Sequence, residues 1–252
     1  MRKILLPIGI CLAFTVIFLT SLAFSADLYL KQQQHTDAVT MMGQTQPERT
    51  VVSEIWMTPT RTVMSSDESK TIVDFEAKTI SIADHKKKTI MQMPLDFSKM
   101  ADRTSGDMSE KDKVEFQKVM GKLMDVKVSV QPTNEKKKIR QWQCQKYLQT
   151  MEMAMGKITS EIWATPEITI DYDLYAKYTA AMFASMPGMG QNLGAVMNEM
   201  KKIKGVHVYT VQKTEMMGKT FGSTVELLEY KEGKAPANAF DMPTGYKKQS
   251  MQ

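Results

Sequence analysis

Met151, Met153 and Met155 recur at every second position. In a β-strand that spacing sets three thioethers on one face. Thioether sulfur is a soft donor suited to Cu(I), so this run is the strongest metal-type pattern in the chain. Alternate strand residues stand ~6.6 Å apart, so two of these sulfurs reach one ion more readily than three from a single straight strand. Other donors are scattered. His35, His85 and His207 are the only histidines, none at metal-ligand spacing from another, and Cys144 has no partner cysteine two residues away. His85 falls in a lysine-rich turn, and His35 and His207 fall in strands, where ordinary sheet positions account for them. A lone cysteine is most simply a small buried hydrophobe.

Motifs for covalent or hydrolytic chemistry are absent. There is no Gly-x-Ser-x-Gly elbow, no His-Glu-x-x-His helix and no Walker-type phosphate loop. Carboxylates are plentiful, but none forms a pair in the apolar surround that a raised acid pKa requires. The expectation is a non-enzyme with no resident cofactor. Methionine is the compositional anomaly, at 23 of 252 residues. Its unbranched, polarizable side chain can line a surface that repacks around differently shaped apolar molecules, and it also serves in an ordinary packed core.

Strands must position these residues. The heptapeptide Ser53 to Pro59 returns at Ser160 to Pro166 with six of seven positions matching. Each copy ends an alternating run at Thr-Pro, where proline removes a backbone donor and forces its predecessor extended. Both copies therefore read as strands running to a sheet rim, in one large sheet that uses the same strand and corner twice. Alternation extends through Leu28 to Thr36, Val51 to Met57, Thr62 to Ser65, Thr71 to Phe75, Thr79 to Asp84, Thr89 to Met93, Val126 to Gln131, Gln141 to Met155, Ile158 to Ala164, Val206 to Glu215 and Thr220 to Tyr230. Short polar links such as Glu76-Ala77-Lys78 and Met217-Gly218-Lys219 predict an antiparallel meander.

Two helical regions interrupt the strands. Ser109 caps one, with Phe116, Val119, Met120, Leu123 and Met124 on a single apolar face. The second begins near Asp171, carries Leu174, Tyr175, Tyr178, Met182, Phe183 and Met186, and breaks at Pro187-Gly188. A further helix from about Gln191 carries Leu193, Val196, Met197 and Met200 before Lys201-Lys202 and Gly205 close it. The spacing predicts a helical hairpin at about 171–204, inserted between strands.

Arg2-Lys3, an apolar stretch from Ile4 to Leu19 and the small-residue segment Ser21 to Ala26 form a secretory signal peptide pattern. Cleavage after Ser25 places Ala23 and Ser25 at the −3 and −1 positions, which predicts a periplasmic single domain over 26–252. Removing Arg2 and Lys3 takes two charges from the formal +5, too mild a balance to suggest nucleic acid. Cys144 is then the sole thiol, so no internal disulfide forms. Lysines cluster at 86–88, 136–138, 201–204 and 247–248, where they keep turns soluble and blunt sheet edges; on one shared rim they would attract an anionic leaflet.

Thr71 to Phe75, Asp84 to Thr89 leading into Met93-Pro94-Leu95, Cys144 with Tyr147, Glu161-Ile162-Trp163 and Phe240 to Tyr246 together resemble an exported bacterial domain family of unknown function. That family is similar to the LolA/LolB/LppX-like lipoprotein and lipid carriers. The resemblance covers most of the mature chain and implies an α+β, mainly β fold: an incomplete β-barrel, LolA-like, whose strongly curved antiparallel sheet has helices plugging the concave face. No catalytic motif comes with it. The expected function is a periplasmic non-catalytic carrier for a lipid, acyl chain or other apolar molecule, with transient contact to a membrane surface or envelope protein. Trp56, Trp163, Tyr175, Tyr178, Met182, Phe183, Met186 and Met197 are the candidate cavity residues, and Trp142 belongs either with them or with the core. Two alternatives use the same residues: a methionine-rich Cu(I)-binding envelope protein through Met151, Met153 and Met155, and a structural or partner-binding envelope protein without a small ligand.

Overall fold

A computed structural model describes residues 27–41, 44–95, 126–154, 156–168, 193–216 and 218–249. The expected signal peptide, the helix at 109–124 and the first part of the helical insertion, 171–192, lie outside these residues. The strands are β1 (Leu28–Thr36), β2 (Val39–Met41), β3 (Gln44–Gln46), β4 (Arg49–Met57), β5 (Arg61–Ser65), β6 (Ser69–Asp74), β7 (Thr79–Asp84) and β8 (Thr89–Pro94). They continue with β9 (Lys127–Ile139), β10 (Trp142–Met153), β11 (Gly156–Thr165), β12 (Val206–Met216), β13 (Lys219–Glu232) and β14 (Lys247–Gln249). Helix α1 is Leu193–Met200, and Ala237–Phe240 forms a 3-10 turn.

Twelve strands form one sheet in the order β14-β8-β7-β6-β5-β4-β1-β13-β12-β11-β10-β9, with β2 and β3 as a separate hairpin. The sheet is not closed into a barrel. It consists of two meanders, β4 to β8 and β9 to β13, joined through β1, which pairs antiparallel with β4 on one side and β13 on the other. The pairing is antiparallel except at the edge, where β14 runs parallel to β8. Among the described residues no helix is long and apolar enough to cross a membrane.

Local chemistry accounts for the turns. Phe75–Lys78 and His85–Lys88 are matching four-residue links. In each, the aspartate before the link accepts a backbone N–H, from Ala77 onto Asp74 Oδ1 at 2.7 Å and from Lys87 onto Asp84 Oδ1 at 2.8 Å. Each then ends on a lysine in the left-handed region, Lys78 at φ 52° and Lys88 at φ 54°. The two Thr-Pro corners differ. The first turns directly into β5, with Thr58 Oγ1 accepting the Arg61 N–H at 2.9 Å. The second leads into the long excursion that contains α1, and Gly205 closes against it so tightly that a Cβ would stand 1.7 Å from the Thr165 carbonyl oxygen.

β9 is longer than its alternation predicts. It continues through Pro132 to Ile139, because an edge strand has no outer ladder for the missing proline donor to break. Lys136, Lys137 and Lys138 therefore stand on that edge strand and not in a turn. The β9–β10 end also folds over the sheet. The turn residue Arg140 bonds through Nε to Glu226 of β13 at 2.8 Å, although β10 and β13 are three strand spacings apart, ~14 Å in a flat sheet. The largest core cluster gathers near the Thr-Pro rim: Leu28, Leu30, Ile55, Met57, Val206, Val208 and Leu227 with Trp142, Cys144 and Trp163.

Candidate functional site

Directly paired residues share a face, so the register sorts every strand side chain. Trp56 pairs with Tyr29, Val52 with Gln33, Gln33 with Glu226, Glu226 with Tyr209, Tyr209 with Trp163 and Trp163 with Lys146. Both repeated tryptophans therefore lie on the same face. Their strand neighbours Ile55, Met57, Ile162 and Ala164 lie on the other.

The second face carries methionine. Met57, Met64, Met91, Met93, Met151, Met153 and Met216 are all the methionines of the large sheet among the described residues, and every one falls on it. Met64 pairs with Ile55, Met91 with Ile82 and Met93 with Ile80; Met151 pairs with Ile158, and Met153 and Met216 both pair with Gly156. Only Met57 is fully buried. The other six keep part of their surface accessible. Helix α1 covers one end of this face, where Val130, Tyr147, Ile162, Ala164 and Ile203 form a cluster with Val128 and Met200. Glu199 accepts the backbone N–H of Val130 at 2.8 Å, capping the free edge of β9, and the nearby Lys202 ammonium and that N–H hold its carboxyl below the usual range. Gln149 Nε2 donates to the Met200 sulfur at 2.8 Å, and Lys204 N–H donates to Tyr147 Oη at 3.2 Å.

The tryptophan face is polar and aromatic. The Lys137 ammonium stands 4.0 Å from the Trp163 ring centroid, and Lys146 pairs with Glu161 at 3.0 Å and Glu135 at 3.4 Å. Around the first tryptophan the arrangement is similar. Tyr29 and Trp56 have ring centroids 5.0 Å apart, and Lys31 pairs with Glu54 at 3.6 Å. Burial, with Glu54 and Glu229 nearby, pushes the Tyr29 hydroxyl up to about 12. Val52, Leu148 and Val211, the exposed large hydrophobic residues, all belong to this face.

The C-terminal segment crosses the tryptophan face over β5 to β7. Ala235 N–H bonds to Asp27 Oδ2 at 2.8 Å, Phe240 lies under the Arg61 guanidinium, Lys70 donates to the Asp241 carbonyl at 2.6 Å, and His85 Nδ1 and Tyr246 Oη are 2.9 Å apart. This explains adjacent buried residues such as Thr62 with Val63 and Ile72 with Val73. One member of each pair faces the strap and the other faces the methionine side.

Trp56 and Trp163 thus stand opposite the face that α1 covers, half-buried and buried respectively, and Trp142 joins the core. Tyr175, Tyr178, Met182, Phe183 and Met186 lie outside the described residues. Met197 sits in α1, with its side chain outside them. Met155 also lies outside, while Met151 and Met153 share a face as the alternation predicts.

His35 has partners that its sequence position does not reveal. Its Nδ1 is 3.0 Å from Thr50 Oγ1, its cross-strand partner, and its Nε2 is 3.5 Å from Asp37, whose other oxygen accepts the Gly222 N–H. This hydroxyl–imidazole–carboxylate chain is solvent-exposed, and the Asp37 carboxylate is engaged in joining β1 to β13. His207 is different: burial alone drives its imidazole down to about 4, so it is neutral at physiological pH. Cys144 is buried with its thiol donating to the Trp142 carbonyl at 3.6 Å, and burial pushes its pKa up, which is the reverse of an activated nucleophile. Among the described residues no three His, Cys, Asp or Glu side chains group to hold a metal ion.

No family model matches the chain, and no curated protein matches it. Among solved structures it is similar to PNGF-II, with a TM-score of 0.36 and 12% sequence identity, over 90% of this chain and 31% of that one. The chain thus spans under a third of that structure's length, and likeness at this level carries no conclusion about fold or activity.

Proposed function

We propose that the protein is a non-catalytic, exported binding protein that holds an apolar molecule, a lipid or acyl chain, against the methionine face of its sheet. One observation carries this reading. Seven methionines on five strands fall on one face, and six of them retain accessible surface where a fully packed core would enclose them. A flexible thioether lining accommodates varied apolar shapes at little strain. In this reading the sheet is the wall of a LolA-like incomplete barrel, the segment at about 171–204 is its plug, and Tyr175, Tyr178, Met182, Phe183, Met186 and Met197 complete the lining. Lysines at 86–88 and 247–248, brought together by the β14–β8 pairing, supply a cationic rim for an anionic leaflet.

Native mass spectrometry of protein released gently from the cell envelope tests this. The expected result is a defined mass increment that organic extraction removes and that identifies as lipid. Protein that is repeatedly empty, and that takes up no fluorescent fatty acid, would refute it.

A further inference from the structure

We propose that Met151, Met153 and Met216 form a Cu(I) site at the hairpin end of the methionine face. This differs from a site built on the Met151–Met153–Met155 run alone, because its third sulfur comes from another strand. The register brings it there. Met153 of β10 and Met216 of β12 are both partners of Gly156 on the intervening β11, so they flank a residue with no side chain. Two strand spacings separate their backbones by roughly 9.6 Å. Methionine side chains are long enough to reach toward each other from both sides of the glycine and bring their sulfurs within the span of two metal–sulfur bonds, each ~2.3 Å for a comparable d10 ion.

Met151 supplies the third donor. It lies one pleat from Met153 on the same face, paired with Ile158, so it approaches from the apolar side and completes a trigonal set. All three residues are half-buried, which leaves the site open to an incoming ion while the sheet shields it from bulk water. The donor set is neutral and soft. It suits a monovalent d10 ion and gives little to zinc, calcium or magnesium, which need thiolate, imidazole or oxygen donors.

The test is anaerobic titration of the full-length chain with Cu(I) against bicinchoninate, followed by X-ray absorption of the loaded protein. One equivalent held with sulfur-only scattering is expected. Met153→Leu and Met216→Leu should each weaken binding at least tenfold, whereas Met93→Leu, on the same face but at the far end of the sheet, should leave it unchanged. Leucine conserves volume, and a thermal melt of each variant checks folding. Gly156→Ala is unsuitable, since its Cβ would meet the Glu215 carbonyl oxygen at 2.2 Å. As a measurement independent of variants, Ag(I) added to methyl-labelled wild-type protein should shift the methyl signals of these three residues. Loss of all Cu(I) to the chelator, unchanged affinity in the triple leucine variant, or Ag(I) shifts confined to other methionines would each overturn the proposal. The titrations are run on delipidated protein, so their outcome is separate from that of the lipid reading.

Discussion

His207 gives the sharpest prediction because a single cause acts on it. It lies opposite Ala164 across β11 and β12, and burial holds its imidazole at about 4 against an ordinary 6.5. Between those pH values the unfolded chain binds a proton that the folded chain does not, so stability is full above pH 6.5 and falls as pH drops toward 4. At 1.36 kcal/mol per unit, the full displacement corresponds to about 3 kcal/mol. The residue keeps part of its surface accessible, so roughly half, ~1.5 kcal/mol, is the expected contribution. Urea denaturation at pH 7.5 and 4.5 measures it. With a slope of ~2 kcal/mol/M, the midpoint of the wild-type protein should drop by about 0.7 M more than that of His207→Gln. Asp84, Glu199 and Glu215, whose carboxyls also sit below their ordinary range, lose their contributions at lower pH in both proteins and cancel in the difference. Parallel pH dependence in the two proteins would refute the assignment of a neutral, desolvated imidazole.

Lys88→Gly should raise stability by about 1 kcal/mol, because Lys88 occupies the left-handed region that glycine adopts freely; a lower midpoint in thermal or urea unfolding would count against this. The Thr62 hydroxyl is buried with no partner among the described residues, so Thr62→Val should gain about 1 kcal/mol by calorimetry. Glu199→Ala should speed amide hydrogen exchange at Val130 while leaving the centre of the sheet protected, and unchanged exchange there would show that the helix does not cap the edge. Cys144 should react with a thiol reagent only after denaturation, as its burial and raised pKa require.

Period-two alternation is enough to locate the long strands. Leu28–Thr36 and Thr79–Asp84 match the observed bounds, and the helix expected from about Gln191 appears as Leu193–Met200. The misses have local causes. β14 is three exposed residues whose strand character comes only from pairing with β8, and β2 and β3 are three-residue segments too short for alternation to be read. The lysines of β9 resemble a turn by composition, yet at an edge they lie within a strand. Strand order is not a local property, so nothing in Leu28–Thr36 shows that it sits between the two meanders. The candidate site was visible in part. Met151 and Met153 share a face by spacing alone, but Met216 joins them only through the β11–β12 register, and the common facing of methionines on five strands needs the whole pairing scheme.

The position of β1 has a consequence for assembly. The first described strand to leave the ribosome must wait for both meanders, and its second partner, β13, lies about two hundred residues later. Loop closure on that scale makes the joining step slow and non-local. Until β13 arrives, β1 presents one open ladder of backbone donors and acceptors, which is where a chaperone that grips extended chain would find its hold.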